Sequence, residues 1–147
     1  MGSGSADEKL AILAYNCGKE IAARGCHLLC GGMSGVMQHA ARGAKESGGL
    51  TIGILPGRNR DESAPNEYID IPIFSGMRDA RNFINVCSAD AILALPGGPG
   101  TLSEIALALK VGKAVACLTM WKDTIEHENL RYFEDVNTAL DWLAAQL

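Results

Sequence analysis

Short apolar segments that alternate with longer amphipathic segments are the feature that most constrains how this chain can fold. Apolar or extended runs predict strands at residues 26–30, 51–55, 68–74, 91–95 and 114–119. Helical periodicity predicts helices at residues 6–24, 34–47, 77–87, 102–111 and 136–145. Strands separated by helices need crossover connections, which make parallel strand pairs and place helices on both faces of the sheet. The sequence therefore predicts an α/β fold, a Rossmann-like doubly wound parallel sheet.

Length and composition fit one globular domain over residues 1–147. Apolar residues make up 48% of the chain and charged residues 20%, and there is neither an internal repeat nor a low-complexity linker. Thirteen Lys plus Arg against 17 Asp plus Glu give a net charge of -4 with scattered basic residues, so a nucleic-acid partner is not expected. Because no apolar run approaches the roughly 18 residues that cross a bilayer, we expect no membrane partner and a cytoplasmic location.

Cysteine and histidine spacing argues against a metal centre. Five cysteines lie in apolar stretches, which predicts buried thiols in a reducing compartment. Neither a Cys-x-x-Cys pair nor a ligand spacing among the three histidines is present. The sequence therefore predicts neither a bound metal nor a resident cofactor.

The first helix is preceded by a glycine-rich segment, Gly2–Ser5, that has no strand in front of it. Ser5 and Glu8 have the spacing of a capping box, in which each side chain accepts a hydrogen bond from a backbone amide of the first turn. Either residues 1–5 are a remnant of cloning, or the chain begins inside a strand–loop–helix unit whose first strand is missing from this sequence. The second interpretation is favoured because Ser5 already has the predicted role of N-cap for a complete helix.

Glycines follow two of the predicted strands. They predict close approach of backbone amides to an anion, with a helix N-terminus behind each loop. Neither loop has the G-x-G-x-x-G spacing of dinucleotide enzymes or the lysine of a P-loop. The alternative is that these glycines only make tight turns. The candidate phosphate-binding residues in these loops are Gly31, Gly32, Gly35, Gly97, Gly98, Gly100 and Thr101.

The predicted helix at residues 77–87 carries a stripe of hydrogen-bond donors. Its polar positions are Arg78, Arg81, Asn82, Asn85 and Ser88, which recur at helical spacing. Two arginines and two asparagines without a balancing row of acids are typical of an anion site, since the guanidinium group is a good phosphate ligand. A solvated face paired through Asp79 is the alternative.

Glu104 has two interpretations. Thr101 and Glu104 have capping-box spacing, which would make the carboxylate structural. The same carboxylate follows the second glycine loop, at the end of a predicted central strand, where it could act as a general base or stabilise a developing cation.

Residues 96–104, Pro-Gly-Gly-Pro-Gly-Thr-Leu-Ser-Glu, resemble the PGGxGTxxE motif of the so-called possible lysine decarboxylase superfamily. That superfamily includes the Lonely Guy phosphoribohydrolases, which cleave the N-glycosidic bond of cytokinin nucleoside monophosphates. Arg81 lies 15 residues before Pro96, the family's spacing for its catalytic arginine. The resemblance also covers the loop from Gly31 to Met37 and the strand from Ile52. It implies catalytic roles for Arg81 and Glu104.

Two positions depart from the family pattern: Asn82 stands where the family has lysine, and Ser103 where it often has a second acid. The pattern is closer to a bacterial and archaeal branch to which the algal molybdenum cofactor carrier protein is also similar. The resemblance thus leaves two functions: hydrolysis of a nucleoside 5'-monophosphate, or transport of a phosphorylated cofactor without chemistry. Similarity to DNA processing proteins is disfavoured by the acidic charge. The resemblance also implies a homodimer or a higher homo-oligomer.

Overall fold

The computed structural model describes residues 1–119 and 125–147, which form two three-stranded parallel sheets flanked by helices. The strands are β1 (Leu28–Cys30), β2 (Thr51–Leu55), β3 (Ile71–Phe74), β4 (Ile92–Ala94), β5 (Val115–Leu118) and β6 (Leu130–Phe133). The α-helices are α1 (Glu8–Ala23), α2 (Val36–Glu46), α3 (Arg81–Ser88), α4 (Pro99–Lys110) and α5 (Val136–Ala144). The predicted fold class is confirmed.

The strand order is β1-β2-β3 in one sheet and β4-β5-β6 in the other, with every pair parallel. Helices α1, α2 and α5 share one apolar core that includes Leu28 of β1 and Leu118 of β5, so they cover both sheets on one face. Helix α4 packs with Val86 of α3 against the opposite face of β4 and β5. The layers therefore follow the predicted doubly wound arrangement.

Helices α1 and α2 approach each other closely through two glycines. A Cβ atom at Gly18 would overlap the carbonyl of Ala40, and one at Gly43 would overlap the carbonyl of Tyr15. This contact fixes α1 against the first sheet, because α2 follows β1 directly. Within the described residues, no helix is both long and apolar enough to cross a bilayer.

Several boundaries differ from the sequence prediction. The capping box at Ser5 is wrong, since Asp7 is the N-cap of α1 and its carboxylate accepts from the Leu10 amide at 2.8 Å. The segment 78–80 is a 3-10 turn, and α3 begins only at Arg81. The sequence analysis did not find β6, although Leu130–Phe133 pairs with β5 along its length.

The cysteine prediction is only partly correct. Cys17, Cys30 and Cys117 are buried, whereas Cys26 and Cys87 are exposed. Burial raises the pKa of the Cys17 thiol to about 12 and that of Cys117 to about 11, so both remain protonated at neutral pH.

Candidate functional site

The three glycine-rich segments meet at the carboxyl ends of β1 and β4. The Ser3 amide donates to the Pro96 carbonyl at 3.1 Å, and the Ser3 carbonyl accepts from the Val36 amide at 3.0 Å. The Ser34 hydroxyl donates to the Gly4 carbonyl at 2.9 Å. The segment 2–5 thus joins the loop after β1 to the loop after β4. In a doubly wound sheet this end of the strands is where ligands bind.

A cavity of about 1070 Å³ opens between these loops. Eight of the predicted site residues line it: Gly31, Arg81, Asn82, Asn85, Gly98, Gly100, Thr101 and Glu104. The other three, Gly32, Gly35 and Gly97, shape the loops without lining the cavity. Gly32 and Gly35 have φ angles of 71° and 67°, a backbone region that favours glycine. Gly97 packs against the Thr101 hydroxyl, where a Cβ atom would not fit.

Arg81 is the most unusual residue of the cavity. Its side chain is 8% exposed, and it forms no ion pair within the described residues. Its Nε atom is buried and finds no hydrogen-bond partner among residues 1–119 and 125–147. A buried guanidinium that lacks an anion is costly, because it has lost hydration without gaining a counter-charge. The arrangement therefore favours a bound anion as the missing partner.

Gly31 makes room for the Arg81 guanidinium group. A Cβ atom at Gly31 would lie 2.7 Å from Nη2 of Arg81 and 2.7 Å from the Met37 sulfur, and closer still to Nη1. The guanidinium therefore lies directly against the backbone of the first glycine loop. Gly31 positions the arginine because it has no side chain. This differs from the sequence prediction, in which the backbone amide of Gly31 contacts an anion.

Glu104 is held by Asn85 and not by the start of its own helix. The Asn85 Nδ2 atom donates to Glu104 Oε1 at 3.1 Å, and both residues are more than 90% buried. Helix α4 begins at Pro99 with Gly98 as its N-cap, and no side chain caps it. Proline suits that first position, since it has no amide hydrogen to leave unpaired. The predicted Thr101–Glu104 capping box is therefore wrong.

In the described part of the chain, the Oδ1 atom of Asn85 is a second buried atom without a hydrogen-bond partner. It is an acceptor, whereas the orphaned Arg81 Nε is a donor. Because Arg81 and Glu104 do not pair with each other either, the cavity presents one unpaired cation, one carboxylate and one free acceptor. A ligand that carries both an anionic group and hydroxyl or amino donors would satisfy all three.

The two residues that depart from the family pattern touch each other. Asn82 Nδ2 donates to the Ser103 hydroxyl at 3.3 Å, and that hydroxyl donates to the Gly100 carbonyl at 2.7 Å. The two departures are thus joined by one neutral hydrogen bond beside the lining of the cavity.

One predicted residue of the donor stripe lies outside the cavity, and one residue of the site was missed. Arg78 is exposed and does not line the cavity, whereas Ser88 does. Asn66 was not predicted: its side-chain amide donates to the carbonyls of Gly32 at 3.2 Å and Met33 at 2.8 Å, which anchors the first glycine loop. Its position after Pro65 in a polar loop was the available signal for a turn.

Burial raises the pKa of the nearby Cys30 thiol, which argues against a nucleophilic thiolate.

Comparison with known proteins gives matches over the whole chain. An uncharacterized protein of Archaeoglobus fulgidus is 44% identical over 142 residues, which are 97% of this chain and 90% of that protein. The molybdenum cofactor binding protein of Rippkaea orientalis is 37% identical with a TM-score of 0.90, covering 99% of this chain and 92% of that one. A Moco carrier protein from Chlamydomonas reinhardtii is 37% identical with a TM-score of 0.86, covering 100% of this chain and 94% of that one.

Similarity to phosphoribohydrolases covers less of the chain. The cytokinin riboside 5'-monophosphate phosphoribohydrolase of Mycobacterium tuberculosis is 34% identical over 98 residues, which are 66% of this chain and 52% of that enzyme. The profile of the SLOG cluster4 family matches residues 1–142. The chain belongs to the SLOG cluster4 family, in a branch of the Lonely Guy superfamily whose solved structures include molybdenum cofactor carriers.

Proposed function

We propose that this protein binds a phosphorylated small molecule in the cavity between its glycine loops. The observation that carries the proposal is the buried Arg81 guanidinium without a counter-charge in the same cavity as Glu104. A phosphate group would pair with Arg81 and accept hydrogen bonds from amides of the loop 97–101, at the N-terminus of α4. Hydroxyl or amino groups of the ligand would donate to Glu104 and Asn85.

The first candidate is a carrier of a phosphorylated cofactor, such as molybdenum cofactor, as cargo. The whole-length similarity to molybdenum cofactor binding and carrier proteins supports it. The neutral Asn82–Ser103 pair supports it as well, since a site that only holds its cargo does not need the charged groups that stand there in the hydrolases. Under this proposal the protein does no chemistry, and it acts in the cytoplasm.

The second candidate is hydrolysis of the N-glycosidic bond of a nucleoside 5'-monophosphate. Arg81 and Glu104 support it, because both lie in one cavity at the positions that match the family's catalytic pair. Glu104 would stabilise an oxocarbenium-like centre as the bond to the base breaks, and water would add to the ribose carbon. Arg81 would hold the phosphate or ribose.

The experiment that tests the proposal is identification of the ligand. Mass spectrometry of small molecules retained through purification, together with calorimetry using AMP and inorganic phosphate, should show a phosphorylated ligand bound one per chain. Crystals soaked with phosphate should show density between Arg81 and the loop 97–101. Density elsewhere, with this loop free of ligand and its amides turned inward, would overturn the proposal.

Alanine at Gly31 should weaken phosphate binding by displacing Arg81. The added Cβ atom needs space that the guanidinium and the Met37 side chain occupy, so we expect roughly a tenfold rise in the Kd for phosphate. Calorimetry measures this directly. Gly4→Ala is the matched control, because a Cβ at Gly4 would meet no atom within 4 Å. Equal affinity in the two variants would show that Gly31 does not position Arg81.

Self-association is a further part of the proposal, with a second copy of this chain as the partner. Phe83 of α3 is 46% exposed and Met77, just before that helix, is 50% exposed, so this side of the domain presents apolar surface to solvent. Light scattering should give about twice the chain mass of 15.5 kDa, and Phe83→Ser should shift the mass towards one chain. A 15.5 kDa species for the wild type across micromolar concentrations would contradict the prediction.

A further inference from the structure

The first glycine loop, residues 31–35, is held from its outer side by Asn66. The Asn66 side-chain amide donates to the Gly32 carbonyl at 3.2 Å and to the Met33 carbonyl at 2.8 Å, and the Asn66 backbone amide donates to the Gly32 carbonyl at 2.8 Å. Gly31 and Met33 line the cavity, whereas Asn66 does not. Two consecutive carbonyls of the loop are therefore directed away from the cavity, towards Asn66.

The orientation of these carbonyls fixes the orientation of the next two amides. In a planar trans peptide, the C=O of one residue and the N–H of the following residue point in opposite directions. The N–H groups of Met33 and Ser34 therefore point away from Asn66, towards the cavity. Neither N–H has a hydrogen-bond partner in the described residues, 1–119 and 125–147. Successive N–H groups with a common direction are a known means of binding an anion, and we call these two the inward amides.

The Arg81 guanidinium group lies beside the same loop. A Cβ atom at Gly31 would lie 2.7 Å from Nη2 of Arg81, so the guanidinium contacts the loop backbone. Arg81 is 8% exposed, and its Nε atom has no partner in the part of the chain that the structure describes. Helix α2 begins just after the loop, at Val36, so the positive end of its dipole lies there too. A buried cation, a helix N-terminus and the inward amides thus meet at one place.

Arg81 also lies close to the second glycine loop. Asn82, which follows Arg81 in the chain, donates to the Ser103 hydroxyl near the start of α4 at 3.3 Å. Residues of both glycine loops line the cavity together with Arg81. A planar guanidinium has five N–H donors, so it can bind oxygen atoms of two neighbouring anionic groups at once. Two anionic groups that share one guanidinium must be adjacent, as the two phosphates of a diphosphate are.

We propose that the first glycine loop is a second anion subsite, and that the ligand of this cavity is a diphosphate, such as a nucleoside diphosphate or a compound with an internal diphosphate bridge. This inference rests on the phosphate site proposed above at the loop 97–101. One phosphate binds to that loop, the adjacent phosphate binds to the inward amides, and Arg81 bridges the two. Asn66 is a positioning residue, because it orients the inward amides without contacting the ligand.

The first test compares ligands that differ by one phosphate. Calorimetry of the full chain without divalent cations gives the Kd for phosphate, pyrophosphate, AMP and ADP. We expect the Kd for pyrophosphate and for ADP to be at least roughly tenfold lower than the Kd for phosphate and for AMP, respectively. If phosphate and AMP bind but the diphosphates bind no more tightly, the second subsite is overturned and the site at the loop 97–101 stands. If none of the four binds, both proposals are overturned.

A pair of variants separates a built subsite from a simple effect of ligand charge. Asn66→Ala should abolish the roughly tenfold preference for pyrophosphate, while its Kd for phosphate changes by less than about threefold. Asn59→Ala is the matched control, because Asn59 Oδ1 accepts from the amides of Asp61 and Glu62 within the segment that joins β2 to β3 and does not line the cavity. This control should keep the preference. An unchanged preference in Asn66→Ala would show that charge alone causes it and would overturn the proposal.

Nuclear magnetic resonance of the wild-type chain tests the subsite without a variant. Saturating pyrophosphate should shift the backbone amide signals of Met33 and Ser34 together with those of the loop 97–101. Saturating phosphate should shift the signals of the loop 97–101 more strongly than those of Met33 and Ser34. Signals of Met33 and Ser34 that do not move with saturating pyrophosphate would overturn the proposal.

Discussion

Replacing Arg81 with methionine is expected to lower the affinity for inorganic phosphate and for AMP by about 100-fold or more. The guanidinium supplies charge-assisted hydrogen bonds that are worth roughly 1.5–3 kcal/mol each. The other described arginine that lines the cavity, Arg24, is already paired with Glu20 and Asp141. The same change should leave the free energy of unfolding of the unliganded protein equal or higher, because it removes a buried charge that has no partner. Calorimetry and denaturant unfolding measure the two effects separately.

Arg78→Met is the matched control for that experiment. It makes the same change in charge three residues earlier, at an exposed position outside the cavity. Phosphate affinity should change little, since the group lies outside the site. Equal losses in the two variants would indicate long-range electrostatics and not a direct contact. A large loss of stability in Arg81→Met would show that the arginine has a structural partner.

Much of the fold was predictable because its signals are local. Strands β1, β2, β4 and β5 lie in apolar runs and each helix has a periodic apolar face, so these strands were found within a few residues. Strand β6 was missed because Leu130–Phe133 includes a charged residue at its second position and so does not form an apolar run. Its pairing with β5 is a tertiary property that no local pattern reports.

The candidate site was predictable as a set of residues but not as an arrangement. Arg81 and Glu104 were chosen because they match the catalytic pair of the family that the motif resembles, and the structure does bring both to one cavity. The contacts among their neighbours depend on long-range packing. The bond from Asn85 to Glu104, the anchoring of the first glycine loop by Asn66 and the fit of Gly31 against Arg81 each join separate elements.

The two capping boxes show why a short motif can mislead. Both have the correct residue spacing, yet Asp7 caps α1, and α4 begins at Pro99. In each case another residue serves at the helix start. Asp7 accepts a hydrogen bond from a first-turn amide of α1, and Pro99 at the first position of α4 has no amide hydrogen to leave unpaired. This removes the capping explanation for Glu104, whose carboxylate accepts instead from Asn85 and lines the cavity.

Under the hydrolase proposal, Glu104→Gln is expected to lower the release of adenine from AMP by about 100-fold or more, while the Kd for AMP changes by less than roughly tenfold. Glutamine keeps the size of the side chain, and its carbonyl oxygen can still accept from Asn85, so the fold of the site should be retained. What the change removes is the negative charge that would stabilise an oxocarbenium-like centre. Chromatography of the released base and calorimetry of AMP binding give the two values.

Glu128→Gln makes the same change in charge at an exposed position outside the cavity, and its turnover should match that of the wild type. If Glu104→Gln also turns over as fast as the wild type, Glu104 has no catalytic role. If the wild type binds AMP or a phosphorylated cofactor tightly and releases no base, hydrolysis is excluded. In that case the carrier proposal stands. The comparison of wild type, Glu104→Gln and Glu128→Gln therefore decides between the two functions proposed for one site.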